Sequence, residues 1–230
     1  MPRIEPVEPP YEPEVAKQLE SMMPAGAEPI LLFRTFARNM PMSKAMGSWG
    51  AYELSRRLSV GKRQREIVID RTCARCGCEY EWGVHVAFFA ESAAISAPQT
   101  ASLAHGLSSD PCWESAGDRA LIDMVDALHD DAAIPDGLWD QLATEFSDEQ
   151  LLALLFLCGW YHAISLVALG AQVELEAGAP PFPSVAPLGP EPIGRDGPPG
   201  SCRPRPTQGD LPQWMSTLSA SWSAAWPKTS

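Results

Sequence analysis

The chain has 230 residues, 45% of them hydrophobic and 20% charged, the proportions of a soluble globular protein with room for one sizeable core. A formal net charge of −12 argues against binding a nucleic-acid backbone, which requires a basic stripe. The Pro- and Glu-rich opening MPRIEPVEPPYEPEV lacks the apolar run of a signal peptide, and the cysteines are three crowded (Cys73, Cys76, Cys78) and three scattered (Cys112, Cys158, Cys202). That is not the framework of a small secreted domain, so a reducing cytoplasmic setting is expected.

Proline divides the chain into three regions. Residues 1–13 hold five prolines and read as an extended N-terminal arm. Residues 14–176 hold six, with helical apolar spacing almost throughout, and read as one helical domain. Residues 177–230 hold twelve, too many for a packed core, and read as a Pro-rich tail.

In chain order, helices are expected over 14–23, 30–39 and from Pro41 to about Leu54, with proline as the opening residue of the third. Ser59 is placed to cap a helix over 62–75, and the CGCE turn leads into another over 79–94. Further helices are expected over 98–105, 115–129, 135–145 and 147–169, where Ser147 and Gln150 have capping-box spacing. Only Ile67-Val68-Ile69 also suits a strand, so the expected fold class is all-α.

The apolar run 151–170 has membrane length. It contains Tyr161, His162 and Ser165 and lacks flanking Lys or Arg, so it reads as a buried core helix rather than a membrane span. In the tail, Leu211, Trp214, Leu218, Trp222 and Trp226 form a helical apolar stripe, suited to docking on the chain's own core or on a neighbouring subunit.

Charge is unevenly spread. Seven of the 17 basic residues lie between Arg56 and Arg75, whereas residues 110–149 hold twelve acids and one arginine. The basic stretch either steers an anionic small molecule or forms a solvated helix face.

Chemistry concentrates in REIVIDRTCARCGCEYEWGVHV, residues 65–86. On a helix, Cys78, Glu81 and His85 fall within about 60° of one another, and the surrounding Tyr80, Trp82, Val84, Val86, Phe88 and Phe89 make that helix mostly buried. A thiol, a carboxylate and an imidazole on one buried face need partners, which makes them a site candidate. Glu66, one helix earlier across the turn at Gly77, can be brought beside His85 by an antiparallel helix pair. Zinc ligation by Cys73, Cys76, Cys78, Glu81 and His85 is chemically conceivable, but C-x-x-C-x-C lacks a second distant pair. No metal or cofactor is expected, and His105, His129 and His162 read as isolated.

The run at 65–86 strongly resembles the carboxymuconolactone decarboxylase family. LLFRTFARNMP (31–41) resembles the family's upstream helix and LLALLFLCGWYHAISLVALGAQVELE (151–176) its closing helix, so the resemblance spans about Glu28 to Glu176. It implies an all-helical, alkyl hydroperoxidase D-like domain in a homo-oligomer, a trimer or hexamer, acting on a small molecule.

In alkyl hydroperoxidase D a glutamate is followed by two cysteines and a histidine. The corresponding positions are Glu66, Cys78, Glu81 and His85, so Glu81 stands where the second cysteine belongs. A peroxidatic cycle closes by a disulfide between those thiols, which directs the expectation to acid–base work instead. The expected activity is decarboxylation or isomerisation of a small oxygenated, anionic substrate. In it His85 is the acid or base, Glu81 its carboxylate partner, Glu66 the orienting group and Cys78 a pocket thiol. Arg71 is expected to hold a substrate carboxylate or pair with Glu66, with Tyr80 and Trp82 walling or supporting the pocket. The alternatives are a thiol-dependent peroxidase using Cys78 and a non-catalytic oligomeric scaffold.

Overall fold

The computed structural model describes residues 1–184, and among these the chain is all-α. Nine helices follow in order: α1 (Pro13–Ser21), α2 (Leu31–Phe36), α3 (Met40–Glu53), α4 (Lys62–Arg75), α5 (Glu79–Phe89), α6 (Ala97–His105), α7 (Ala116–Asp131), α8 (Asp136–Glu145) and α9 (Asp148–Ala171). The Trp-bearing stripe expected at 211–226 lies outside the described residues.

The centre of the fold is α4, which packs against α5, α6, α7 and α9. Nine consecutive residues of it, from Arg65 to Cys73, are buried. A helix enclosed on every side cannot show a simple amphipathic stripe, and this one also carries charges inward. Each buried arginine is paired: Arg65 with Glu66, Arg71 with Asp126. Ile67, Val68 and Ile69 are fully buried in this helix, where the surrounding helices override their strand preference.

The turn from α4 to α5 is short because its hydrogen bonds close on themselves. Gly77 takes φ +67, its N–H donates to Ala74 O at 2.9 Å, and Cys78 N–H donates to Cys73 O at 2.8 Å. This Schellman arrangement needs a left-handed residue, which glycine supplies without a Cβ penalty. The expected Ser59 cap does not form. Gly61 is the N-cap of α4, and the Ser59 hydroxyl instead reaches the Glu149 carbonyl. The box at Ser147 and Gln150 does form, and a second closes at Ser96 and Gln99.

By length and composition α9 could cross a membrane. Here its inner face, including Leu151, Leu154, Leu157, Cys158, Tyr161 and Ile164, is buried against α4 and α5. The N-terminal arm lies along α2 and the end of α9: Arg3 N–H donates to Ala171 O, and Val7 and Arg34 exchange hydrogen bonds. Beyond α9 the chain returns over α5. Pro180 O sits where a Cβ on Gly83 would come within 2.6 Å, so the close approach requires glycine there. Phe182 stacks near Trp82 with ring centroids 5.1 Å apart.

Candidate active site

The α4–α5 hairpin brings Glu66 and His85 together as expected. Glu66 is fully buried and makes two charged contacts: Oε2 lies 2.8 Å from His85 Nδ1 and Oε1 accepts from Arg65 Nε at 2.6 Å. One turn earlier on α5, Glu81 Oε1 lies 3.5 Å from His85 Nε2. The other Glu81 oxygen, Oε2, is buried without a hydrogen-bond partner among the described residues.

Both residues face a cavity of about 80 Å³ enclosed by α2, α3, α5 and α9, room for several waters or a small organic molecule. Its walls are apolar, with Leu32, Phe36, Met46, Val84, Trp160 and Ile164 among them, and Gly47, Gly50 and Ala51 keep the α3 side open. Tyr161 meets the His85 ring edge-on, centroids 5.0 Å apart.

The surroundings set the proton inventory. Burial alone would raise the Glu66 carboxyl, but the charges and hydrogen bonds of Arg65 and His85 outweigh it and hold it below the usual carboxylate value. Burial likewise opposes a charged His85 ring; Glu66 first and Glu81 second overcome it and raise its pKa to about 10. At neutral pH His85 is therefore an imidazolium between two carboxyl groups.

Two further acids close the cluster. Burial raises Glu53 to about 8, against the hydrogen bond from Trp49 and the charges of His85 and Arg65. Burial and the Glu66 charge push Asp70 well above the usual carboxylate range. Glu53 holds its proton at neutral pH, which limits the negative charge stored around His85.

Three expected roles need correction. Arg71 neither pairs with Glu66 nor reaches the cavity. Its guanidinium makes a bidentate bond to Asp126 at 2.7 Å through both nitrogens and donates to Leu103 O, because five residues along α4 from Glu66 it faces α7. Cys78 does not line the cavity. It is wholly buried in a small cluster with Leu32, Phe36 and Tyr80, and burial pushes its thiol up to about 11. Trp82 packs in the main core. Tyr80 supports the cavity indirectly: its hydroxyl accepts from Leu32 N–H at 3.0 Å and donates to Glu176.

The site also gains residues that sequence spacing did not select, namely Arg65, Glu53, Asp70 and Tyr161. Two histidines read as isolated are not: His129 Nδ1 and His162 Nε2 lie 3.0 Å apart. His105 donates to Pro183 O at 2.7 Å.

The chain has the all-helical fold of alkyl hydroperoxidase D-like proteins, as three solved structures show. A peroxidase-related protein from Silicibacter sp. TM1040 aligns with a TM-score of 0.65 at 16% identity, covering 76% of this chain and 94% of that one. An Agrobacterium tumefaciens protein of unknown function, associated with AhpD antioxidant defence, aligns with a TM-score of 0.55 at 20% identity over 62% and 96%. The debrominase Bmp8, solved in complex with 2,3,4-tribromopyrrole, aligns with a TM-score of 0.57 at 15% identity over 74% and 91%. No family model and no curated protein matches the sequence.

Proposed function

We propose that this chain is an acid–base enzyme of the carboxymuconolactone decarboxylase superfamily, acting on a small, largely apolar carbonyl compound by decarboxylation or isomerisation. The observation that carries this reading is the unpartnered Oε2 of Glu81, buried at the cavity beside a charged His85. Glu81 is positioned to take a proton from carbon α to a carbonyl. The electron pair moves onto the carbonyl oxygen, and His85 Nε2–H, with Nδ1 tied to Glu66, stabilises the resulting enolate. Loss of CO2 in place of the proton gives the same enolate, which is then reprotonated. With Arg71 committed to Asp126, His85 is the cation that the described residues place at this cavity, so it balances one negative charge, that of a substrate carboxylate before CO2 leaves or of the enolate oxygen afterwards.

The test follows proton exchange from small lactones and 2-oxo acids in D2O by NMR. Glu81→Gln and His85→Ala are expected to lower exchange by about 100-fold or more, the usual worth of a general acid or base. Cys78→Ala is expected to keep most of it. If Cys78→Ala abolishes turnover and the wild-type protein instead consumes hydroperoxide with a dithiol, the thiol-dependent reading replaces this one.

We also propose a homo-oligomer formed through the outer face of α9. Leu152, Phe156, Leu166 and Leu169 are exposed there, an apolar surface that a partner subunit of the same kind would cover.

A further inference from the structure

Away from the cavity, three side chains able to ligate metal converge from three helices. Cys76 is the C-cap of α4, His129 lies in the last turn of α7, and His162 sits midway along α9. One ligand atom from each lies within 4.8 Å of the other two, and all three residues are half-buried. The imidazoles approach most closely, Nδ1 of His129 to Nε2 of His162 at 3.0 Å, with ring planes 33° apart.

Hydrogen bonding fixes one tautomer. His162 Nδ1 lies 3.0 Å from the Cys158 carbonyl, which can only accept, so Nδ1 carries the proton and Nε2 presents a lone pair to the cluster. A backbone carbonyl holding one ring nitrogen while the other is free is how metal-ligating histidines are oriented. Tetrahedral zinc, with Zn–N near 2.0–2.1 Å, sets two imidazole nitrogens about 3.3 Å apart. The observed pair needs to open by only a few tenths of an ångström. Arg75, beside Cys76, is paired with Asp126 and Asp130, which offsets its repulsion of a cation.

We propose that Cys76, His129 and His162 form a site for a divalent cation of the zinc class, with water in the fourth position. A thiolate and two imidazoles select such borderline ions over Mg2+ or Ca2+, which favour oxygen ligands. Bound metal would tie the C-terminus of α4 to α7 and α9 at the turn that launches α5, the helix carrying Glu81 and His85. The rival arrangement is a plain hydrogen bond from His129 Nδ1–H to His162 Nε2.

The experiment uses the full chain, stripped with chelator and titrated with Co2+ and then Zn2+. One equivalent of Co2+ is expected to give a thiolate charge-transfer band and intense four-coordinate visible bands, both displaced by one equivalent of Zn2+. Cys76→Ser should remove the charge-transfer band. His129→Gln and His162→Gln should each weaken Co2+ binding at least tenfold, while Cys112→Ser and Cys202→Ser leave it unchanged. Zn2+ should raise the melting temperature of the wild-type protein but not of His129→Gln, a substitution at a half-buried position that circular dichroism can show to be folded. Absence of the thiolate band in the wild-type protein, its survival in Cys76→Ser, or its loss in Cys202→Ser would overturn the site and leave the histidine hydrogen bond.

Discussion

His85 gains its charge from neighbours that are themselves buried, and this coupling makes stability depend on pH. Its pKa is raised from 6.5 to about 10, so between those values the folded chain holds a proton that the unfolded chain releases. That stabilisation is complete below pH 6.5 and is lost as pH rises through about 10. Thermal melts of the wild-type protein across this interval should show a decline that His85→Gln flattens; an equal slope in the variant would refute the assignment.

Glu53 acts in the same direction over a lower window. Burial raises it from 4.5 to about 8, so stability falls as pH climbs through that range and is fully reduced above it. Glu53→Gln keeps an acceptor for Trp49 while removing the charge, and is expected to stabilise the chain at pH 9 but not at pH 5 in chemical denaturation. The pair Glu66 and His85 was legible because a short turn makes two helices antiparallel. Glu53 was not, since it arrives from α3 across a tertiary contact that no spacing records. Arg71 misled because its charge suited an anionic substrate, while its distance along α4 from Glu66 turned it toward the acids of α7.

At the scale of the element, α2 shows why most helices were readable and their supports were not. Ile30 precedes it and offers no side-chain cap, so the first amides of the helix are satisfied from far away. Glu176 Oε1 accepts from Leu31 N–H at 2.5 Å, and the Tyr80 hydroxyl accepts from Leu32 N–H at 3.0 Å. Two distant segments thereby fix the helix that contributes Leu32 and Phe36 to the cavity. Tyr80→Phe strands a buried donor, which typically costs about 1–3 kcal/mol. Urea denaturation should show that loss together with a weaker proton-exchange activity, whereas a change below about 0.5 kcal/mol would show the cap to be unimportant. The boxes at Ser96 and Ser147 need only neighbours three residues on, so they can be read from the chain; a cap supplied from residue 176 cannot. The same distinction explains α5. Its start follows from Gly77, but it stops at Phe89 rather than near Ala94, where the chain enters a left-handed turn with Ala94 at φ +54. Alanine gives no local signal for that conformation.

At the scale of the whole molecule, the outward face of α9 distinguishes a monomer from an assembly. The exposed positions Leu152, Phe156, Gly159, Ala163, Leu166 and Gly170 recur at intervals of four, three, four, three and four, the spacing of a helix–helix seam with small residues at its centre. The apolar run was legible in the sequence as a buried helix, but its composition could not separate the face covered by α4 from the face that stays exposed in the single chain. Phe156 also touches Trp49 of α3, with ring centroids 5.5 Å apart, and Trp49 holds Glu53 through its indole N–H. The seam is thus connected by contact to the acids around His85. Phe156→Glu with Leu166→Glu places two charges on the seam without opening the core, since both side chains are exposed in the single chain. Light scattering on the wild-type protein is expected to give a multiple of the 25.0 kDa chain and on the double variant the chain mass alone, with helical content preserved. A wild-type protein that is monomeric, or a variant that keeps the larger mass, would overturn assembly through this face, and vesicle co-sedimentation would then test it against a lipid surface.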